Sequence, residues 1–217
     1  MATIHNIHPI TPQPRKIEAV RDALRQGAIM LYPTDTVYAI GCDLNAKAAL
    51  KRVRQLKQLS NDKPLTFLCA SLSNIADYAH VSDPAFRLMK HLVPGPYTFL
   101  LPATKAVPKL VMNPKRKTSG IRVPDNTLCL SLIKALGNPV ISTSALPVAR
   151  KSTEDDTEAL PKALLFDRME KLVDVIVDSD ADLRYQVSTI LDMTSDTPTV
   201  TRQGQGWQEA VDWGADY

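Results

Sequence analysis

This chain reads as an α/β protein whose sheet contains both parallel and antiparallel strands. Short apolar runs alternate along it with segments whose apolar residues recur at helical spacing, the pattern of strands followed by helices. The last runs, from Val173 onward, have few helical segments between them, so part of the sheet pairs antiparallel. The length of 217 residues and a composition 44% hydrophobic and 23% charged provide a core for one large or two small domains without disulfides or metals.

Each element has a local signal. Arg15–Gln26 places Ile17, Val20, Ala23 and Leu24 at helical spacing, and Gly27 stops the helix. Ile29–Tyr32 is a buried strand ended by Pro33. Asn45 is a candidate cap for a helix over Ala46–Leu59, with Leu50, Val53 and Leu56 on one face. Leu65–Cys69 is a second strand. Ser73–Ala79 and Pro84–Leu92 are helices, the latter with Pro84 in its first turn and Ser82 or Asp83 as cap. Tyr97–Leu101 is a strand, Val107–Met112 one or two helical turns, and Gly120–Val123 a strand ended by Pro124. Thr127–Leu136 is a helix closed by Gly137, and Pro139–Thr143 is a strand. Thr157–Leu172 is a charged helix, and Val173–Val177, Thr189–Asp192 and Thr199–Arg202 are strands.

Composition excludes collagen, coiled coil and wholesale disorder. No apolar run approaches the ~18 residues of a membrane span. The N-terminus lacks the cationic start and apolar core of a secretory signal. Cys42, Cys69 and Cys129 are odd in number, widely spaced and set in apolar runs, so they read as buried free thiols of a reducing, cytoplasmic protein.

The net charge of +3 conceals an asymmetry. Residues 1–125 carry 18 Lys/Arg against 8 Asp/Glu, and residues 126–217 carry 8 against 15. Leu44–Asn61 and Pro84–Pro124 contain no acid. Such runs suit an anionic partner (nucleotide, polyphosphate or nucleic acid), or they are a solvated face.

Familiar chemistry-bearing motifs are missing. There is no G-x-x-x-x-G-K-S/T or G-x-G-x-x-G phosphate loop, and Gly204 and Gly206 open no helical pattern of the dinucleotide kind. His5, His8, His80 and His91 have no metal-ligand spacing, and the cysteines have no plausible His partner. What remains are polar residues just after apolar strands, where open α/β sheets bind ligands. These are Tyr32–Thr36, Arg122, Ser142-Thr143-Ser144 and Arg202. Singly, each also suits a turn, a cap or a core ion pair. Together they point to one anion-binding cleft.

The same segments carry a family resemblance. Tyr32-Pro33-Thr34-Asp35-Thr36-Val37-Tyr38-Ala39-Ile40-Gly41 resembles the Y-P-T-D/E-T-x-Y-G-x-G signature of the YrdC/YciO family. Lys57–Leu65 resembles its K-x-R-P-x-x-x-P-L segment, Pro94–Thr98 its P-G-P-L/Y/W-T, and Gly120–Pro124 its A/G-V/I-R-x-P. Pro139–Leu146 resembles P-L/V-x-S/A-T/P-S-A-N, and Ser188–Asp192 with Pro198 and Val200–Gly204 resembles the family's tail motif. The match runs roughly from residue 15 to 206. It implies one YrdC-like domain over 1–217, with no additional C-terminal domain. The implied fold is a twisted open mixed parallel/antiparallel sheet with flanking helices and a positively charged concave cleft.

The family's synthases condense L-threonine, bicarbonate and ATP into L-threonylcarbamoyl-adenylate and pyrophosphate, for tRNA modification. The resemblance therefore implies Mg²⁺ carried by ATP and no metal held by the protein alone. It implies Lys57 and Arg122 as catalytic residues, with Lys57, Arg122 and Arg202 on the phosphates or the bicarbonate-derived carboxylate. It assigns Ser142 and Ser144 to phosphate or carbamate, Thr34 and Thr118 to the amino acid, and Ser188 to the cleft lining. The synthase tetrad is incomplete, because Leu59 and Leu146 stand at its Arg and Asn positions. That pattern is similar to the YciO branch and implies weak, altered or absent synthase activity. The other reading is a double-stranded RNA or tRNA-binding protein without synthase activity, whose acid-free windows contact phosphates. No membrane partner is implied.

Overall fold

A computed structural model describes residues 1–57, 65–145, 161–180 and 185–217. Ten strands and the helices between them divide into two compact units. Unit 1 comprises Met1–Leu59 and Asn126–Tyr185, and unit 2 comprises Ser60–Asp125 and Gln186–Tyr217. Each unit therefore takes chain from both the basic and the acidic half. By sequence, unit 1 holds 16 Lys/Arg against 14 Asp/Glu and unit 2 holds 10 against 9. The asymmetry along the chain disappears in the folded units.

Unit 1 contains strands β1 (Thr3–Asn6), β2 (Ile29–Tyr32), β3 (Ala39–Asp43), β7 (Val140–Ser144) and β8 (Val175–Asp178), in the spatial order β1-β8-β2-β3-β7. β1 and β2 pair with β8 in parallel, and β3 pairs with β2 and β7 antiparallel. Its helices are α1 (Pro14–Arg25), α2 (Lys47–Leu56), α4 (Thr127–Leu136) and α5 (Lys162–Met169). α1 buries Ile17, Val20 and Leu24, and α4 buries Leu128, Leu132 and Leu136. Gly137 closes α4 in the left-handed conformation (φ 81°), which glycine adopts without a steric cost.

Unit 2 contains β4 (Thr66–Leu68), β5 (Tyr97–Pro102), β6 (Thr118–Arg122), β9 (Thr189–Asp192) and β10 (Thr199–Arg202), in the order β4-β6-β5-β9-β10. β4 pairs with β6 and β5 with β9 in parallel, whereas β5 with β6 and β9 with β10 run antiparallel. The mixed pairing expected from the last strands is present. A 3₁₀ helix (Leu72–Asp77), α3 (Asp83–Leu92) and α6 (Trp207–Asp212) complete the unit. The strand pleat sends Phe67, Ile121, Phe99, Leu101 and Leu191 to one fully buried face.

Several sequence expectations are corrected. Asn45 does not cap α2. Its amide donates to Asn138 Oδ1 and its N–H to Asp43 Oδ1, and Ala46 occupies the cap position without a side-chain bond. α2 ends at Leu56, short of the expected Leu59, and Leu59 itself lies outside the described residues. The segment expected as a Ser73–Ala79 helix is the 3₁₀ helix, begun by Ser71 Oγ accepting from Ser73 N–H. Val107–Met112 forms turns, with Pro108 O accepting from Val111 and Met112. Residues 157–160 of the expected charged helix are also outside the description.

Three elements carried no sequence signal. β3 is buried on both faces and shows no alternation, and Gly41 reads as a breaker. β1 is mostly exposed, and α6 is six residues long with only Ala210 buried. No helix among the described residues is long and apolar enough to cross a membrane.

Candidate functional site

In unit 1, strand register decides which side chains meet. Ala39 lies opposite Ser144 and Tyr32, and Gly41 opposite Ser142 and Met30. Directly opposed residues share a face of the sheet. Tyr32, Gly41, Ser142 and Ser144 therefore lie on one face, while Leu31, Ile40 and Ile141 fill the other. Tyr32 lies across β3 and donates its phenol proton to Ser142 Oγ at 2.7 Å, with both groups buried. It can do so because β3 has glycine there. A Cβ on Gly41 would sit 2.7 Å from Tyr32 Cε1 and 2.9 Å from Val140 Cγ1.

Lys57 caps the C-terminus of α2, and its ammonium donates to Ser144 O at 2.9 Å. The end of α2 is thereby tied to the end of β7. Ser144 Oγ is buried with no hydrogen-bond partner among the described residues. Thr34 spends its hydroxyl locally: it donates to Val37 O at 2.7 Å and accepts from Thr36 N–H at 3.1 Å, building the turn between β2 and β3. At the base of that turn the Cys129 thiol donates to Pro33 O. All three cysteines are buried free thiols, and burial pushes Cys42 and Cys69 up to about 12.

In unit 2 the same parity operates. Gly120 lies opposite Leu100 and Thr66, so Thr118, Gly120 and Arg122 share a face with Thr66, Thr98 and Leu100. A Cβ on Gly120 would meet Thr66 Oγ1 at 3.3 Å and Thr98 Cγ2 at 3.4 Å. Thr98 Oγ1 pairs with Ser188 Oγ at 3.0 Å. Arg202 turns back onto that serine, donating Nε and Nη2 to Ser188 O at 3.0 and 2.7 Å and Nη2 to Ser188 Oγ at 3.0 Å. Arg202 has no carboxylate partner among the described residues. Its guanidinium is held below the ordinary arginine value, first by desolvation and then by the positive charge of Arg122. Arg122, 6% exposed, ends β6. Unit 2 thus holds Arg202, which senses the charge of Arg122, against the Ser188 hydroxyl that Thr98 also pairs with, an arrangement suited to an anion.

The residues predicted from sequence fall into two sets: Thr34, Lys57, Ser142 and Ser144 in unit 1, and Thr118, Arg122, Ser188 and Arg202 in unit 2. Thr118 begins β6 and Arg122 ends it, which puts them about 13 Å apart at about 3.3 Å per residue. Sequence reasoning placed Tyr32 in a candidate cleft segment and Gly41 and Thr98 in motif segments, but gave none of these, nor Thr66, a supporting role. Parity was the available signal for Thr98, which comes to Arg122's face once β5 and β6 are registered. Among the described residues, no group of three or more His, Cys, Asp or Glu side chains could hold a metal ion. The Gly204-Gln205-Gly206 stretch serves packing. A Cβ on Gly204 would lie 2.4 Å from the Ser188 carbonyl carbon, and Gly206 (φ 77°) faces the Tyr97 hydroxyl.

Comparison with known proteins shows the family and the fold. The Sua5_yciO_yrdC family model, described as telomere recombination, matches residues 22–204. Escherichia coli K12 uncharacterized protein YciO is 41% identical over 206 residues, covering 95% of this chain and 97% of its own. The crystal structure of E. coli YciO superposes with a TM-score of 0.85, at 40% identity over 94% of this chain and 97% of that one. A threonylcarbamoyl-AMP synthase from Vibrio vulnificus YJ016 is 29% identical over 191 residues, covering 87% of this chain and 98% of its own. P. abyssi Sua5 complexed with L-threonine has the same fold, with a TM-score of 0.83 at 23% identity over 100% of this chain and 63% of that one.

Proposed function

The chain belongs to the Sua5/YciO/YrdC family, and from that premise we propose that it binds ATP and condenses it with L-threonine and bicarbonate into L-threonylcarbamoyl-adenylate and pyrophosphate. The observation that carries the reading is Arg202, fixed by three hydrogen bonds to Ser188 and held within electrostatic reach of Arg122. Two guanidinium groups in one unit, one sensing the charge of the other, are suited to a multiply charged anion. The name of the Vibrio relative, threonylcarbamoyl-AMP synthase, supports the product.

The chemistry balances with positioning and charge neutralisation. The threonine amine adds to bicarbonate with loss of water to give a carbamate. A carbamate oxygen then bonds to the α-phosphorus as the bond to pyrophosphate breaks. Charge builds on phosphate oxygens; Arg122 and Arg202 in unit 2, and Lys57 with the Ser142 and Ser144 hydroxyls in unit 1, are the groups suited to neutralise or donate to such oxygens. Ser188 holds Arg202. Thr118 and the turn built by Thr34 are assigned to the amino acid. Mg²⁺, carried by ATP rather than held by the protein, would supply further charge neutralisation on the phosphates. The adenylate product suits transfer to tRNA. Leu59 and Leu146, which replace the family's Arg and Asn, lie outside the described residues and set the expectation of a slow enzyme.

The assay is pyrophosphate release with ATP, L-threonine, bicarbonate and Mg²⁺. Release should require all three substrates and fall by at least about tenfold in Lys57→Ala and Arg122→Ala. Background release, or release indifferent to both substitutions, overturns the reading. Duplex RNA is the less favoured partner. Within its basic run Lys115-Arg116-Lys117, Arg116 is engaged by Asp192 and Thr194.

A further inference from the structure

Ser142 is a buried serine with an unusual proton balance. Its oxygen accepts the Tyr32 phenol proton at 2.7 Å, and it is 3% exposed. A serine hydroxyl has one proton to give and two lone pairs. Among the described residues, nothing accepts the Ser142 proton. Tyr32 thus takes one lone pair of the serine oxygen and leaves its proton to be given to another group. Ser144 lies two residues on, on the same face of β7 and about 7 Å away. Its buried hydroxyl also lacks a partner among the described residues. Lys57 donates to the carbonyl of the same Ser144.

We infer that Tyr32 is a positioning residue for ligand binding, orienting the Ser142 hydroxyl as a hydrogen-bond donor to an anionic oxygen, and that Gly41 exists to let it do so. The inference rests on the proposed nucleotide reading for the identity of that anion. The ligand group meeting Ser142 is an acceptor, a phosphate or carboxylate oxygen, because the proton Tyr32 turns outward has no acceptor among the described residues. Phenol-to-serine-to-anion is a chain of bonds pointing one way, and each bond polarises the next. Tyr32 is fixed in turn by packing: it is 1% exposed, and its ring occupies the space a Cβ on Gly41 would need.

The test is ATP titration by calorimetry, with the thermal midpoint of each variant measured in parallel. Tyr32→Phe keeps the ring and removes the proton. It should raise the ATP dissociation constant about fivefold, the size of a lost polarising hydrogen bond. Ser142→Ala should raise it by at least as much. Tyr32→Phe placed on Ser142→Ala should add nothing to the loss of ATP affinity, because the tyrosine reaches the ligand through the serine. Gly41→Ala should match Tyr32→Phe by pushing the ring aside. The phosphorus resonances of bound ATP should shift in Tyr32→Phe and be restored in no Ser142→Ala background. A purely structural tyrosine would lower the thermal midpoint and leave ATP affinity unchanged, and that result overturns the inference alone. Equal Tyr32→Phe effects with and without Ser142 also overturn it. If the wild-type chain binds no ATP, the nucleotide reading fails and the inference falls with it.

Discussion

Arg202 folds back onto Ser188, donating twice to its carbonyl and once to its hydroxyl at 2.7–3.0 Å. A carbonyl receiving two N–H groups from one guanidinium fixes the plane of the fork. The remaining donors of Arg202 then have a set direction. Lysine carries the same charge but cannot reproduce this. We expect Arg202→Lys to weaken ATP binding about tenfold, more than any loss of thermal midpoint accounts for, since lysine keeps the charge and loses the fork. Calorimetry beside thermal denaturation decides it, and equal affinity of the two proteins would show that charge alone matters.

Gly204 lies against that same serine. An added Cβ would be 2.4 Å from the Ser188 carbonyl carbon and 2.5 Å from its oxygen, and backbone atoms cannot swing away. Gly204→Ala should cost about 3 kcal/mol of stability and also loosen Arg202. Urea unfolding measures the first effect. A variant as stable as the parent would contradict the packing described.

Asp174 gives a pH signature in unit 1. It accepts the Ile29 N–H at 2.8 Å and both Arg52 Nη groups at 2.9 and 3.2 Å. Burial pushes its carboxyl up, but the bonds from Arg52 and Ile29 outweigh that and leave it below the ordinary aspartate value. A lowered folded-state pKa contributes stability above the unfolded value, and the contribution is lost as pH falls through the folded value. Asp174→Asn should therefore melt below wild type at pH 7, with the gap closing as pH drops below about 4. A gap constant from pH 7 to 3 would rule out this carboxylate as its source.

The cysteines should be silent. Cys42, Cys69 and Cys129 are buried, and the Cys42 and Cys69 thiols are pushed up to about 12 by burial. Thiolate, the reactive form, is then negligible at neutral pH. Ellman's reagent at pH 8 should find no thiol in the native chain and three in denaturant. Prompt labelling of the folded protein would contradict the burial of these residues.

Elements were legible where their signal is local. Thr127–Leu136, Thr189–Asp192 and Thr199–Arg202 have the boundaries that periodicity and Gly137 indicate. β3 was not legible because burial on both faces removes the alternation that marks a strand. The cap of α4, Asn126, was passed over, while Asn45 was assigned a cap it does not make. Both are asparagines before apolar periodic runs, and only the position of Asn138 draws Asn45 away.

For the candidate site, the sequence alone determined which residue types stand in or beside the strands and at the end of α2: hydroxyls at 142, 144 and 188, and cations at 57, 122 and 202. It also carried the family to which they belong. What they touch was decided only by tertiary structure, because hydrogen-bond partners depend on register between strands distant in the chain. Tyr32 reaches Ser142, 110 positions away, only when β2, β3 and β7 align with a glycine between them. Thr98 reaches Ser188, 90 positions away, only when β5 and β9 pair in parallel. Period-two alternation gives each strand two faces, but which face meets which neighbour is fixed by pairing alone.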